Sequence, residues 1–293
     1  ISVKQSRFGV KGTMPTGSLN TPLDFKFEFD LFGTGADAGQ TTFRLRHAYG
    51  ELGHFGAGQT WSPFMDIDVF PNSVEYWGPS GMVFFRNIQI RWMPIQGDTR
   101  LTLALERPGA SGDGGNYADR VEIANIKGRF PYPDLSGEYR FGGDWGYFEA
   151  AGILRYIKWD DVLEDQFDLS GSDVGWGINL SSNVKLGKNV LRLQGVYGEG
   201  IQNYMNDAPA DVGIRNNFGN PTRPIEGEVL PMFGLVASFD INWSDKLSST
   251  IGYSLTPLGP YPKISSHSFF GIRLPFADAG TWGQISVLRK CSI

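Results

Sequence analysis

The segment DFKFEFDLF, at Asp24–Phe32, alternates without interruption between charged and apolar side chains. In an extended chain one side would carry Phe25, Phe27, Phe29 and Leu31, and the other Asp24, Lys26, Glu28 and Asp30. Because successive side chains of a β-strand point to opposite faces, this segment predicts a strand with one apolar and one charged face.

The same period of two returns along the chain and predicts about 14 strands. One strand carries Phe43, Leu45 and Tyr49 against Arg44 and Arg46, and another carries Phe84, Ile88, Ile90 and Trp92 against Asn87, Gln89 and Arg91. The others are predicted at Arg7–Lys11, Phe55–Trp61, Leu101–Leu105, Tyr139–Phe141, Phe148–Tyr156, Val174–Leu180, Leu191–Tyr197, Val229–Phe239, Leu247–Tyr253, Phe270–Phe276 and Trp282–Leu288. No segment predicts a helix.

The predicted connections alternate between short and long. The short ones lie near Gly53 and at Pro94–Asp98, Gly142–Asp144, Asn183–Lys188, Ser244–Asp245 and Ala277–Gly280. The long ones are Gly33–Thr41, Ser62–Met82, Pro108–Asp134, Lys158–Ser172, Ile201–Glu226 and Thr256–Ser266. Tight turns at one end and long loops at the other are typical of an up-and-down barrel in a membrane.

The alternative is a soluble all-β binding module, in which the apolar face would form a dry core. Periodicity does not separate the two readings, but strand number and the tryptophans at predicted strand ends favour the barrel, because aromatic girdles lie at membrane interfaces. Those tryptophans are Trp61, Trp77, Trp92, Trp145, Trp243 and Trp282. We therefore predict an all-β fold, a transmembrane antiparallel up-and-down β-barrel that forms a single domain over residues 1–293.

Composition agrees with this fold and excludes other classes. The chain is 14% aromatic and 19% charged, has 39 glycines, and contains no stretch of 18 apolar residues that would form a membrane-spanning helix. The net charge of −5 and the lack of basic blocks give no indication of nucleic-acid binding. The single cysteine, Cys291, rules out a disulfide framework within the chain.

Three segments resemble the DcaP-type porins of Gram-negative bacteria. They are FRLRHAYGELG at Phe43–Gly53, AGQTWSPFMDIDVFP at Ala57–Pro71 and FFRNIQIRW at Phe84–Trp92, with further echoes at YWGPSG, LALERPG, GWGINL and YGEGIQNYMND. The resemblance implies a 16-stranded, trimeric barrel in the bacterial outer membrane, in contact with lipid and lipopolysaccharide, that passes small acidic solutes such as dicarboxylates. It also implies that the first and last strands are missing from this sequence.

In the register of this family, Ser62–Met82 is the third external loop, which in general porins folds into the lumen. We expect it to form the constriction, with Ser62, Asp66, Asp68 and Glu75 as its polar residues and with its carboxylates facing basic residues of the wall. Within each predicted strand, odd and even positions face opposite sides, and we assign residues to the inner face by this parity. The pore-lining and substrate-binding candidates assigned in this way are Arg7, Lys26, Arg44, Arg46, Gln89, Arg91 and Arg155. Arginine suits transient capture of carboxylates, because its planar guanidinium is permanently charged.

By the same parity His47 lies on the lipid side, where packing or a subunit interface explains it, and Arg86 lies at a strand end near the loop. We find no catalytic motif and no metal-ligand spacing, and we expect no cofactor and no enzyme activity. A membrane-embedded lipid hydrolase remains an alternative, for which His47 or the segment Ser266–His267–Ser268 would have to supply the catalytic pair.

Overall fold

The structure is a computed structural model of the chain. It describes residues 2–17, 21–72, 78–258, 263–275 and 282–292, and from residue 257 onward it describes the backbone only. No helix in these residues is long and apolar enough to cross a membrane.

The described residues form seventeen strands and a few short 3-10 helices. The strands are β1 (Arg7–Met14), β2 (Leu23–Phe32), β3 (Thr41–Leu52), β4 (Phe55–Trp61), β5 (Arg86–Ile95), β6 (Arg100–Glu106), β7 (Ile126–Arg129), β8 (Asp134–Gly143), β9 (Gly146–Asp161), β10 (Gly171–Leu186), β11 (Asn189–Glu199), β12 (Val212–Asn216), β13 (Ile225–Val229), β14 (Pro231–Ser244), β15 (Leu247–Leu258), β16 (Lys263–Pro275) and β17 (Trp282–Ser292).

Fourteen of these strands pair antiparallel with their neighbours in chain order, from β1 to β6, β8 to β11 and β14 to β17. This confirms the predicted strand number and the up-and-down antiparallel topology. Of the remaining strands, β7 pairs with the end of β9, and β12 pairs with β13 in a separate hairpin.

The outer face of the sheet is apolar and exposed. Ile90 is 64% exposed, and Phe25, Phe27, Leu105 and Ile178 are exposed as well. Their charged or polar neighbours in sequence lie on the opposite face, where Gln89, Glu106 and Asn179 are buried. A protein surrounded by water buries its large apolar side chains, so this inversion is what a lipid-facing barrel requires and the soluble module does not explain.

Connections alternate in length as predicted, with one difference. Two-residue turns join β3 to β4, β8 to β9, β10 to β11 and β14 to β15, whereas long segments join β4 to β5, β6 to β8 and β11 to β14. The predicted long connection at Thr256–Ser266 was wrong, because β15 runs to Leu258 and β16 begins at Lys263. The short turns mark the periplasmic end of the barrel.

Tryptophans at the periplasmic end form the expected aromatic girdle. Trp92, Trp145 and Trp243 are exposed beside the turns that follow β5, β8 and β14. The prediction that Trp61 belongs to this girdle was wrong. Its ring packs inside the sheet, 5.1 Å from the ring of Phe84. The side chains of Trp77 and Trp282 lie outside the described residues.

An apolar cluster lies inside the sheet. It joins residues of the connection between β4 and β5, such as Phe64 and Met82, to wall residues such as Ile153, Val196 and Val236. All five side chains are buried. The connection 62–85, which we call the inward loop, therefore packs against the inner face of β9, β11 and β14.

Candidate functional site

Asp66 anchors the inward loop to the wall. Its carboxylate accepts hydrogen bonds from the Arg140 guanidinium at 2.7 Å, the Tyr147 hydroxyl at 2.6 Å and the Ser181 hydroxyl at 2.7 Å. The side chain is fully buried, so its charge is balanced by Arg140 at 2.7 Å rather than by water. A carboxylate with this many charge-assisted partners fixes the loop in one position.

Further contacts hold the loop along the same side. The Asn179 amide donates to the backbone oxygen of Phe64 at 2.9 Å, and the Asn183 amide donates to that of Asp68 at 2.7 Å. The backbone N–H of Gly81 donates to the Ser254 hydroxyl at 2.9 Å. The loop thus spans the inner face from β8 to β15.

A second segment, residues 200–211, also folds inward and lies on the inward loop. The backbone N–H of Phe84 donates to the oxygen of Tyr204 at 2.9 Å, and that of Asn206 donates to Met82 at 2.9 Å. The sequence predicts only a long connection at Ile201–Glu226, and nothing in it indicates this inward contact. Burial raises the pKa of Tyr204 well above its ordinary value, so its hydroxyl stays protonated and donates to Asp134 at 3.0 Å.

Arg155 does not line open space, which corrects its assignment as a pore residue. Its side chain is 0% exposed and pairs with Asp134 at 3.1 Å and Asp211 at 2.9 Å. It also donates to the backbone oxygens of Gly109 and Gly200. Parity did place it on the inner face, but residues from two external loops cover it there.

The opposite side of the interior carries exposed cations. Arg7 and Lys26 have side chains that are 47% and 41% exposed, and both lie within 3.6 Å of Glu28. Arg44 and Arg46 pair with Asp30, and Arg46 also pairs with Glu28 at 2.7 Å. Four cations share two carboxylates in this group, which we call the basic wall: Arg7, Lys26, Glu28, Asp30, Arg44 and Arg46.

Members of the basic wall differ in access. Arg46 is almost completely buried and pairs with two carboxylates, and Arg44 is mostly buried beside Asp30. Arg7 and Lys26 are therefore the most accessible of the predicted pore residues on these strands. The structure brings the predicted residues of β1–β3 together, and Arg155 lies elsewhere.

A β-bulge in β3 overturns the parity of His47 and Tyr49. The pairing of β2 with β3 shifts between Glu28 and Phe29, which leaves Arg46 without a partner residue. An extra residue in one strand turns the residues beyond it to the other face. His47 is consequently buried on the inner face, hydrogen-bonded to Thr60 at 3.0 Å, and is not a lipid-facing residue.

Two arginines of β5, Arg86 and Arg91, extend the row of cations. The Arg91 guanidinium donates to the Gln89 side-chain oxygen at 2.7 Å and lies 5.1 Å from the centre of the Tyr49 ring. Gln89 itself is buried. Arg86 stacks at 4.6 Å over Trp61, at the base of the inward loop, where the sequence had placed it.

The remaining loop candidates have different positions. The Ser62 hydroxyl donates to Glu106 at 2.6 Å and is buried, so it fixes the start of the loop. Asp68 is half exposed and pairs with Arg140 at 2.6 Å. Asp66 and Asp68 thus both contact Arg140 of β8 directly and do not face a cation across a gap. Glu75 lies outside the described residues.

Among the residues that the structure describes, no group of three or more His, Cys, Asp or Glu side chains could hold a metal ion. The hydrogen-bonding partner of His47 is Thr60, whose hydroxyl is buried with it. The side chain of His267 lies outside the described residues.

Comparison with known proteins gives a family match and solved structures of similar fold. Residues 1–208 match the family described as DcaP outer membrane protein. The chain is similar to the outer membrane channel DcaP of Acinetobacter baumannii, at 15% identity and a TM-score of 0.77, over 99% of this chain and 85% of that one.

Two further solved structures share the fold. The anion-selective porin from Comamonas acidovorans is similar at 12% identity and a TM-score of 0.57, over 97% of this chain and 78% of that one. OmpF of Salmonella typhi, in complex with daunomycin, is similar at 12% identity and a TM-score of 0.56, over 98% and 89%. No curated protein sequence matches this chain.

Proposed function

This chain belongs to the DcaP outer membrane protein family of the bacterial outer membrane, and we propose that it is a passive diffusion channel for small anionic solutes such as dicarboxylates. The observation that carries the proposal is the unequal filling of the barrel interior. Inner residues beneath the loop, such as Ile153 and Ser254, are buried, whereas Arg7 and Lys26 of the basic wall remain exposed.

A solute would therefore pass between the inward loop and the basic wall. The loop takes up the side from β8 to β15, and the open cross-section lies toward β1–β3. We propose that the inward loop is the constriction of the channel. Asp66 and Arg140 neutralise each other where the loop is anchored, so the exposed positive charge of the basic wall sets the selectivity.

The excess of two positive charges on the basic wall supports anion preference. A ring or row of Arg and Lys in a narrow pore attracts anions, and conduction requires that the attraction be weak enough for release. Glu28 and Asp30 supply this weakening, because they compete for the same cations. Arg7 and Lys26, the two most exposed cations of the basic wall, both lie close to Glu28, and their proximity suits a solute with two carboxylates.

The similarity to an anion-selective porin supports the same direction of selectivity. We further propose that the protein assembles as a homotrimer in contact with lipid and lipopolysaccharide, as its family implies. No described residue favours a lipid hydrolase.

The experiment is a reversal-potential measurement on the purified protein in a planar bilayer with a KCl gradient. We expect anion preference, which the double variant Arg7→Gln and Lys26→Gln reduces toward equal permeability of the two ions. The matched control is Arg215→Gln, because Arg215 is an exposed arginine of the β12–β13 hairpin, away from the basic wall. Cation preference of the unaltered protein, or an equal effect of the control, would refute the proposal.

Solute class is tested by the swelling of proteoliposomes in the sodium salts of monocarboxylic and dicarboxylic acids of similar size. We expect faster entry of the dicarboxylate, and loss of that difference in the double variant. Equal entry of both acids would refute the dicarboxylate preference and leave anion selectivity standing.

A further inference from the structure

A patch of cations lies on the outer face of the barrel at its external end. Strand β7 pairs with the last residues of β9, so that Arg129 lies opposite Lys158 and Lys127 lies opposite Asp160. The pairing of β8 with β9 ends at Leu135 and Leu154. Strand β7 thus continues the sheet beyond the end of β8, and its outward side chains join those of β9. We call Lys127, Arg129 and Lys158 the rim patch.

The height of the rim patch follows from strand geometry. Outward side chains of β9 run from Phe148, near the short periplasmic turn, through Leu154 to Tyr156. At about 3.3 Å per residue and a tilt of roughly 40°, these eight steps span about 20 Å along the membrane normal, close to the height of a barrel's apolar band. Lys158 lies about 5 Å further out by the same geometry.

Aromatic residues mark the interface just below the patch. The rings of Tyr132 and Tyr156 meet edge to face at 5.5 Å, and Tyr132 is exposed. Tyrosine collects at the level where acyl chains give way to headgroups. The rim patch therefore lies at the headgroup level of the outer leaflet.

The patch is both positive and accessible. Arg129 and Lys158 have side chains that are 58% and 42% exposed, and both pair with Asp160 at 3.0 Å. Lys127 is exposed and has no ion-pair partner among the residues that the structure describes. The neighbouring Asp161 is turned inward, where its carboxylate accepts from the backbone N–H groups of Leu163 and Leu169. Among the described residues, the outward face of β7 and the external end of β9 thus carry three cations and one carboxylate.

We propose that the rim patch binds the lipid A phosphates of lipopolysaccharide. The outer leaflet of the membrane in which this family resides presents phosphates attached to the first sugars above the acyl chains. Cations on the lipid side of a barrel, one step above its tyrosines, meet that layer directly. Arg129 offers a planar fork for a phosphate, Lys127 and Lys158 add point charges, and the tyrosine pair lies where the acyl chains begin.

The experiment titrates fluorescent lipopolysaccharide onto the whole protein in detergent, freed of co-purified lipid. Because a Lys or Arg near an anionic lipid surface contributes about a factor of five, Arg129→Gln with Lys158→Gln should weaken binding about 25-fold. The control is again Arg215→Gln, an external arginine with a carboxylate partner that lies off the outer face.

A variant with the opposite effect guards against misfolding as the cause. Asp160→Asn removes the one acid that competes with phosphate, and it should tighten binding about fivefold by the same rule. Lipopolysaccharide without its lipid A phosphates should bind the unaltered protein as weakly as the intact lipid binds the double variant. Inorganic phosphate alone should not compete at millimolar concentration.

Four results would overturn the proposal. They are unchanged binding by the double variant, weaker binding by Asp160→Asn, equal binding of phosphatidylglycerol micelles, and dissociation of the assembled protein by the double variant. The last result would make the rim patch a subunit contact.

Discussion

Asp66→Ala is expected to release the inward loop from the wall and enlarge the channel while the barrel itself stays folded. The carboxylate of Asp66 has three side-chain partners at 2.6 to 2.7 Å, on β8, β9 and β10. Removing it leaves the Tyr147 and Ser181 hydroxyls without this acceptor and the Arg140 guanidinium with only Glu149 and the half-exposed Asp68.

The free-energy cost of this substitution follows from the burial of the Asp66–Arg140 ion pair. Breaking a buried ion pair by removing one partner costs about 3 to 5 kcal/mol, because the other charge stays buried without compensation. Arg140 keeps two of its three carboxylates, so we take the lower end, about 3 kcal/mol. That shifts the ratio of released to docked loop by more than about a hundredfold.

Single-channel recording in planar bilayers measures the effect. We expect a larger and noisier conductance and entry of larger neutral polymers, with the folded band in unheated electrophoresis unchanged. Asp68→Asn is the matched control, because Asp68 belongs to the same loop and pairs with the same arginine but is half exposed, and an exposed pair contributes about 1 kcal/mol or less. Unchanged conductance and polymer exclusion in Asp66→Ala, with a folded barrel, would refute the role of this anchor.

Three further substitutions test other parts of the structure. Gly81→Ala should release the inward loop as Asp66→Ala does, because its Cβ would lie 2.4 Å from the Leu255 backbone oxygen, whereas Gly219→Ala, with nothing within 4 Å, should leave the conductance unchanged. Arg155→Met should cost about 3 kcal/mol, since it leaves Asp134 and Asp211 buried without their cation, and limited proteolysis should then cut within 107–133 and 200–230 sooner than in the unaltered protein. Ile90→Arg should destabilise the barrel by about 2 kcal/mol in urea unfolding from phospholipid vesicles, whereas Val121→Arg, at an exposed loop position, should not, and equal stabilities would contradict a lipid-facing Ile90.

Most of the fold could be predicted from the sequence, because the membrane imposes a simple rule on each strand. Lipid on one side and a polar interior on the other require strict alternation, and β2 and β5 show it residue by residue. Phe25, Phe27 and Ile90 are exposed on the outer face as that alternation predicts. The family resemblance then indicated which connection folds inward.

The predictions that were wrong, for His47 and Phe84, depended on local geometry that the alternation of side chains does not encode. A single bulge at Arg46 in β3 turned His47 to the inner face, and nothing in the sequence marks the position of that extra residue. Phe84 fitted the apolar parity of β5, yet it belongs to the inward loop and packs on Trp61.

The candidate site was predicted only in part, because access depends on what covers a residue. Parity placed Arg7, Lys26 and Arg155 alike on the inner face. Only contacts between segments distant in sequence separate the exposed Arg7 and Lys26 from the covered Arg155, whose partner Asp211 lies 56 residues away.

Site-directed spin labelling along β2 tests most directly whether alternate side chains face lipid and water. Labels at Phe25, Lys26, Phe27 and Glu28, introduced into a Cys291→Ser background in bilayers, would be compared for collision with oxygen and with a water-soluble nickel chelate. We predict that labels at Phe25 and Phe27 collide with oxygen, and that labels at Lys26 and Glu28 collide preferentially with the chelate. Equal collision rates along the strand, or access of the chelate to labels at Phe25 and Phe27, would contradict the claim that alternate side chains of β2 face lipid and water.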